Sequence, residues 1–328
     1  MALLRTIHVC NAYFGSAIGF FFNCFMLYVI VNTRQEELQK YSNILMQSTI
    51  VDIALNILNI LICPIVLTAH QNLVLILHPI THFSSNFNLF LFYVWIVVTY
   101  LSITTVSICY LYRHRLVCRN KSFSISLHLL WDLLWIILGA AYSINIYYGL
   151  TVRNRNNFYI AEELAPLFGG DDGKVNPIGI IGKFDNYVYP IMAHTAINTI
   201  IPYSLTCWCG WRIYKYLKKH ETLLENVLDI QRQLAKTLII QAVIPIFTFA
   251  IPMCMMVVTV TFPASMPEFL SSLLGFMLAY IPMGNALCIL LCVKPYREFA
   301  RKLYRKLVYR IHIRKHQSTT LYVTPSMN

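Results

Sequence analysis

Charge is scarce in this sequence. Of its 328 residues only 12% are Asp, Glu, Lys or Arg, against about 25% in an ordinary soluble domain. Hydrophobic residues make up 57%, and the mean hydropathy is +0.58. A single water-soluble core of this size cannot bury so much apolar surface, which excludes a soluble enzyme. Glycine and proline are also few, 12 and 13, so a collagen-like or low-complexity chain is excluded as well. H-E-x-x-H and G-x-S-x-G motifs are absent, and carboxylates at catalytic helical spacing are missing too. The chain therefore reads as a non-enzyme with no metal and no cofactor. The two halves share no repeat, which speaks against a secondary transporter built from duplicated halves. Of the ten cysteines only Cys10 is expected in an oxidising space, so no outer disulfide framework is implied.

What is present is apolar sequence in long runs. Crossing the hydrocarbon layer takes about 20 mostly apolar residues. Seven stretches supply them, at about 11–31, 43–69, 88–112, 124–149, 187–211, 237–262 and 269–293. In lipid the backbone must satisfy its own hydrogen bonds, so all seven read as helices. The fold class expected is an all-α membrane protein, a seven-transmembrane bundle over 1–293. The basic residues then orient it. Of the 26 Lys and Arg, 21 fall on one side of such a bundle and 5 on the other. The rich side is expected to be cytoplasmic, giving an outside N-terminus and an inside C-terminus. The net charge of +12 reads as this loop bias, not as a nucleic-acid surface.

Polar residues inside the runs mark candidate sites, because a buried carboxylate in a membrane needs a partner or a cavity. Asp52 sits nine residues into the second run, roughly 13 Å deep at 1.5 Å per residue. Asn56 and Asn59 follow on the same helical face. Two readings stand: a network that rearranges with the bundle's state, or hydrogen bonds that only fix packing. Asp132, one turn from His128, reads as a local ion pair. His194 and Asn198, one turn apart in the fifth run, are candidate ligand contacts, with Tyr93 on the third; packing donors are the alternative.

Prolines at 64, 190, 202, 245, 252 and 282 punctuate the runs, each freeing a carbonyl four residues earlier. Pro245 frees that of Gln241 and Pro252 that of Thr248, making the sixth run a candidate hinge. After the seventh run, KPYREFARKLYRKLVYRIHI places apolar residues at helical spacing with Arg and Lys between them. That pattern predicts an amphipathic helix over 294–312 lying on anionic headgroups, followed by a tail over 313–328. The loop over 151–186, with Gly169, Gly170 and Gly173, reads as a lid over the outer mouth.

Three motifs then point to a family. The third run ends Tyr110–Leu111–Tyr112–Arg113–His114–Arg115, which resembles the "YRY" or "YRH" ending of nematode chemoreceptors of the Str superfamily. Gln241, Pro245 and Pro252 resemble that family's Q-x-x-x-P pattern with a second proline. Pro295–Tyr296–Arg297 is similar to its closing "PYR". Among the branches, the delta class fits first, with srh, sri and str as alternatives. The sequence departs from the broader rhodopsin-like pattern: Tyr112 stands where an acid would precede Arg113, and no Pro-x-x-Tyr follows Asn285.

The resemblance implies a chemosensory receptor in the ciliary membrane of a sensory neuron. Its partners would be a small-molecule ligand, a heterotrimeric G protein and the bilayer. Ligand would enter between the outer ends of helices three, five, six and seven. Arg113, beside Tyr112, is the candidate gate of an inner opening, with an ordinary positive-inside anchor as its alternative. Lys215, Lys218 and Lys219 are the other expected G-protein contact. A ligand-gated channel of inverted topology is the competing class, opposed by the 21-to-5 charge count.

Overall fold

The computed structural model describes residues 2–33, 36–69, 72–77, 85–119, 125–148, 177–181, 188–219 and 275–321, with isolated helical positions between 239 and 258. The described elements are helices α1 (Ala2–Asn32), α2 (Glu36–Ile62), α3 (Ser85–Arg113), α4 (Ile125–Tyr147) and α5 (Val188–Lys219). A 3-10 turn (Gly275–Tyr280) then leads into α6 (Ile281–Cys292) and α7 (Lys294–Leu321). Strands β1 (Pro64–Ala69), β2 (Asn72–Leu77) and β3 (Pro177–Ile181) form an antiparallel sheet in the order β1-β2-β3.

Four described helices are long and apolar enough to cross a membrane: Thr6–Asn32, Tyr41–Ile62, Phe87–Cys118 and Leu129–Tyr147. The bent pair Phe276–Cys292 and Lys294–Arg310 passes jointly. Helix α5 falls outside this set because His194, Asn198, Pro190 and Pro202 dilute its apolar run. In the sixth run the described positions Ile239, Ile240, Val243, Ile246, Phe247, Ile251, Cys254 and Val258 are all helical and exposed. Their spacing puts them on one outward apolar stripe. Gln241, Pro245 and Pro252, the expected hinge, lie outside the described residues, as does most of the loop over 151–186.

The second run is where the sequence reading fails. It does not continue as helix to residue 69. Pro64 disfavours helical geometry at the residue before it, and Cys63 turns to φ +40. That left-handed step ends α2 in the manner of a helix C-cap, with the Cys63 N–H still donating to the Asn59 carbonyl at 3.0 Å. Pro64 then opens β1 and does not kink α2. The apolar residues after it, Ile65–Val66–Leu67, pair with β2 in a hairpin whose register runs from Pro64↔Leu77 to Ala69↔Asn72. β3 adds to the other edge of β2, so residues 177–181 of the long loop are held in a sheet.

Side-chain packing gathers in three clusters. At the strand end of the bundle Ile62, Leu77, Phe92, Ile96, Tyr100 and Tyr142 pack together. At the opposite end Met26, Val29, Tyr41, Ile289, Val293 and Tyr296 join α1, α2, α6 and α7. Ile108, Trp135, Cys209 and Ile213 join α3, α4 and α5. Outward faces are strongly apolar, as on α4 with Leu129, Leu130, Leu133, Ile136 and Ile137. Lipid tails are as apolar as these side chains, so helix association here rests on close packing and on polar ties between helices.

Helix α7 leaves α6 at 91°. Val293 is the extended break residue, and Pro295 sits in the first turn of α7, where a missing N–H costs nothing. Tyr296 is buried to 1% exposure in the cluster beneath. Arg297 Nη1 donates to the Leu291 carbonyl at 3.2 Å, satisfying an acceptor in the last turn of α6. The Pro-Tyr-Arg motif is thus a corner: a stop, an anchor and a cap. Helix α7 continues to Leu321, so the stretch expected as a tail is helical up to that residue.

Candidate functional site

The middle of the bundle holds one buried carboxylate and a web of amides around it. Asp52, 2% exposed, accepts from Ser102 Oγ of α3 at 2.5 Å and from Asn285 Nδ2 of α6 at 3.1 Å. One turn on, Asn56 donates to the Asp52 backbone carbonyl at 2.8 Å, and its Oδ1 has no partner among the described residues. A Cβ at Gly19 of α1 would stand 2.5 Å from that oxygen, so glycine is what allows α1 to lie against α2 here. Four residues further along α1, Asn23 donates to the Gly19 carbonyl at 2.9 Å and to that of Pro282 at 3.0 Å. A third turn of α2 brings Asn59, whose Oδ1 accepts from Trp95 Nε1 at 2.6 Å. Helices α2, α3 and α6 are therefore tied through one α2 face, with α1 packed on it at Gly19 and tied to α6 by Asn23. Among the described residues no group of three or more His, Cys, Asp or Glu is placed to hold a metal ion.

Arg113 ends α3 and is 3% exposed. Its guanidinium lies over the ring of Tyr41 of α2, 5.7 Å from the centroid, and Tyr112 meets the same ring edge-on at 6.0 Å. The chain then widens into a π-helical turn, His114–Cys118, a distortion that shifts side-chain direction relative to a continuous α-helix. His114 is carried against Trp208 of α5 at 5.0 Å between ring centroids. Arg113 is therefore folded into the bundle end, where an anchor snorkelling to the headgroups would be exposed. Lys215, Lys218 and Lys219 are exposed at the same end of α5, Lys215 lying over the Trp211 ring at 5.4 Å.

The third polar region lies between α4 and α5. His194 Nδ1 is 3.0 Å from Asn145 Nδ2, and its ring packs against Tyr142 at 5.3 Å. Thr195 donates to the Tyr142 hydroxyl at 2.8 Å. Asn198 is 1% exposed, and neither end of its carboxamide has a hydrogen-bond partner among the described residues. Tyr93 sits on α3 with its ring against Tyr147 at 5.9 Å, and its carbonyl accepts from Ser143. His194 and Tyr93 thus meet the same last turns of α4, at Tyr142 and Asn145 and at Ser143 and Tyr147, while Asn198 follows His194 on α5. Asp132 accepts from Gln47 Nε2 of α2 at 2.6 Å, a tie across helices; the side chain of His128, its expected partner, lies outside the described residues.

A model of the "Serpentine type 7TM GPCR chemoreceptor Str" family matches residues 9–301. The chain belongs to that family. The receptor is 26% identical over 320 residues to serpentine receptor class delta-33 of Caenorhabditis elegans, covering 91% of this chain and 86% of the relative. It is also similar in fold to squid rhodopsin, with a TM-score of 0.65 at 11% identity over 94% of this chain and 87% of the other. The Str resemblance read from the three motifs is borne out, and so is the seven-transmembrane fold class. The receptor is a multi-pass membrane protein of a G-protein-coupled-receptor-type, non-enzyme family.

Sequence reasoning missed several buried residues around the candidate site. Ser102 and Trp95 carry no distinguishing pattern in an apolar run, and Tyr41 is one of 21 tyrosines. His8 fell before the expected first span, yet α1 begins at Ala2 and buries it. A polar residue one helical turn from the next, as His8 is from Asn11, was the available signal.

Proposed function

We propose that this receptor is chemosensory, converting small-molecule binding at the strand end of the bundle into heterotrimeric G-protein activation at the Arg113 end. The strand end is extracellular in this reading, and the protein serves in the ciliary membrane of a sensory neuron, as its family suggests. The observation that carries it is the pairing of Arg113 with Tyr41. A permanent charge held under a ring at the mouth of the bundle is a two-state element, folded in or released. A ligand with different affinities for the two arrangements shifts their populations. The Asp52 web links this end to the other, since α2, α3 and α6 cannot slide without breaking its hydrogen bonds. Released, Arg113 joins Tyr112, Lys215, Lys218 and Lys219 as the G-protein surface. Gln241, Pro245 and Pro252 supply the hinge of the sixth run. Asn198, a buried amide with no partner among the described residues, is a ligand contact together with His194 and Tyr93. The basic face of α7 lies on anionic lipid.

Basal recruitment of G-protein α-subunits to the full-length receptor tests this without a known ligand. Tyr41→Ala is expected to raise basal recruitment several-fold and Arg113→Ala to abolish it at equal surface expression. Recruitment indistinguishable from receptor-free membranes for the wild type and for Tyr41→Ala, across all subunit classes, would overturn the proposal.

A further inference from the structure

The outward surface of α5 changes character along its length. Its exposed side chains include, in order, Ile197, Ile200 and Ile201, then Trp208 and Trp211, then Arg212, Lys215, Lys218 and Lys219. Apolar gives way to aromatic and aromatic to basic. A helix shows that order as it leaves hydrocarbon, crosses the headgroup level and enters water. Arg212 therefore stands at headgroup depth, its guanidinium over the Trp208 ring at 5.7 Å, with Lys215 over Trp211 just beyond.

Helix α3 delivers a second arginine to the same level. The π-turn His114–Cys118 packs on α5. His114 meets the Trp208 ring there, and Cys118 Sγ lies 3.9 Å from the Arg212 carbonyl. Arg119 follows the turn and is exposed. It and Arg212 are both electrostatic neighbours of His114 and of Cys118, so two guanidiniums from different helices flank one spot. Neither α3, the π-turn nor α5 contains a single Asp or Glu, so no acid on these elements neutralises them. A guanidinium lying over a ring still has an N–H fork at its edge for oxygen acceptors.

We propose that this spot is a binding site for a phosphorylated inositol lipid of the inner leaflet. Its phosphates sit between Arg119 and Arg212, and its acyl chains run along the exposed isoleucines of α5. Charge complementarity selects the headgroup. A phosphomonoester carries about −1.5 to −2 at pH 7 and three acceptor oxygens, enough for two guanidiniums at once, each through a bidentate pair. The phosphate of phosphatidylserine is offset by the lipid's own ammonium. Basic pockets between membrane helices on the cytoplasmic side take phosphoinositide headgroups in this way. Once bound, the lipid bridges the end of α3 to α5 and fastens the π-turn from outside. The leaflet rests on the orientation in the receptor reading; the chemistry does not.

Native mass spectrometry of the full-length receptor in detergent tests the site, with dioctanoyl phosphatidylinositol bisphosphate and dioctanoyl phosphatidylserine as probes. The inositol lipid is expected to bind at least about tenfold more tightly, as one added charge-assisted pair implies. Arg119→Ala and Arg212→Ala each remove that preference and leave the lipid-free unfolding midpoint in place. Arg119→Lys and Arg212→Lys keep the charge but lose the fork, and are expected to lose most of the preference. Leu133→Ala on the outer face of α4 leaves it unchanged, and Arg301→Ala on α7 weakens both lipids by a similar factor. Equal binding of the two lipids would overturn the site. So would a preference kept in full by the alanine or lysine variants, or one abolished by Arg301→Ala alone. Equally tight binding of soluble inositol trisphosphate would overturn the assignment to a lipid. Neither orientation nor G-protein coupling enters a measurement in detergent, so this site and the receptor reading fail independently.

Discussion

The α1–α2–α3–α6 half of the bundle and the α4–α5 face solve the problem of polar groups in lipid in different ways. In the first, Asp52, Asn56 and Asn59 point at three neighbouring helices, and Ser102, Asn285, Asn23 and Trp95 complete the web. In the second, contacts are aromatic rings and short polar pairs, and the Asn198 amide is buried with no partner among the described residues. The first arrangement ties α2, α3 and α6 through one carboxylate and costs much when opened, although the Asn56 and Asn285 Oδ1 atoms have no partner among the described residues. The second has no such shared hub. A half tied through one hub suits transmission, and a half without one suits reception.

The sharpest way to break this contrast is to strip the Asp52 carboxyl of its partners. Ser102→Ala combined with Asn285→Ala leaves it buried with neither side-chain donor. Thermal unfolding in detergent is expected to show a loss of about 3–5 kcal/mol, more than the two single variants added together. Gly19→Ala comes next. A methyl there meets Asn56 Oδ1 at 2.5 Å, so a change that ordinarily favours a helix is expected to cost about 1–3 kcal/mol. Trp95→Phe removes one tie to Asn59 and is expected to cost roughly 1 kcal/mol, the scale of a single interhelical hydrogen bond in a membrane. On the other face the sign reverses. Asn198→Leu removes an unpartnered amide and is expected to raise stability by up to about 1 kcal/mol, while weakening the response to ligand.

Much of the fold was legible because the bilayer imposes a simple length rule. Runs of apolar residues gave the bundle, and the amphipathic pattern after residue 293 gave α7. The sheet was not legible by that rule. Residues 64–77 are as apolar as a helix, and only the Cys63–Pro64 break and the two residues between Ala69 and Asn72 hinted at a hairpin. The Asp52 face was readable from its i, i+4, i+7 spacing, since helical periodicity is local. Its partners were not, because Ser102, Trp95 and Gly19 are brought there by tertiary packing. Arg113 was readable as a charge at a helix end, whereas its burial under Tyr41 depends on how α2 crosses α3.

Every functional statement depends on which end of the bundle faces outward. Epitope tags at both termini of the full-length receptor, stained in intact and in permeabilised cells, decide it, with a glycosylation sequon placed in the loop over 151–186. The receptor reading predicts an N-terminal tag stained on intact cells, a glycosylated loop, and a C-terminal tag reached only after permeabilisation. An N-terminal tag hidden until permeabilisation, with the C-terminal tag stained on intact cells, would contradict it and move Arg113 and the basic end of α5 to the wrong side for any G protein.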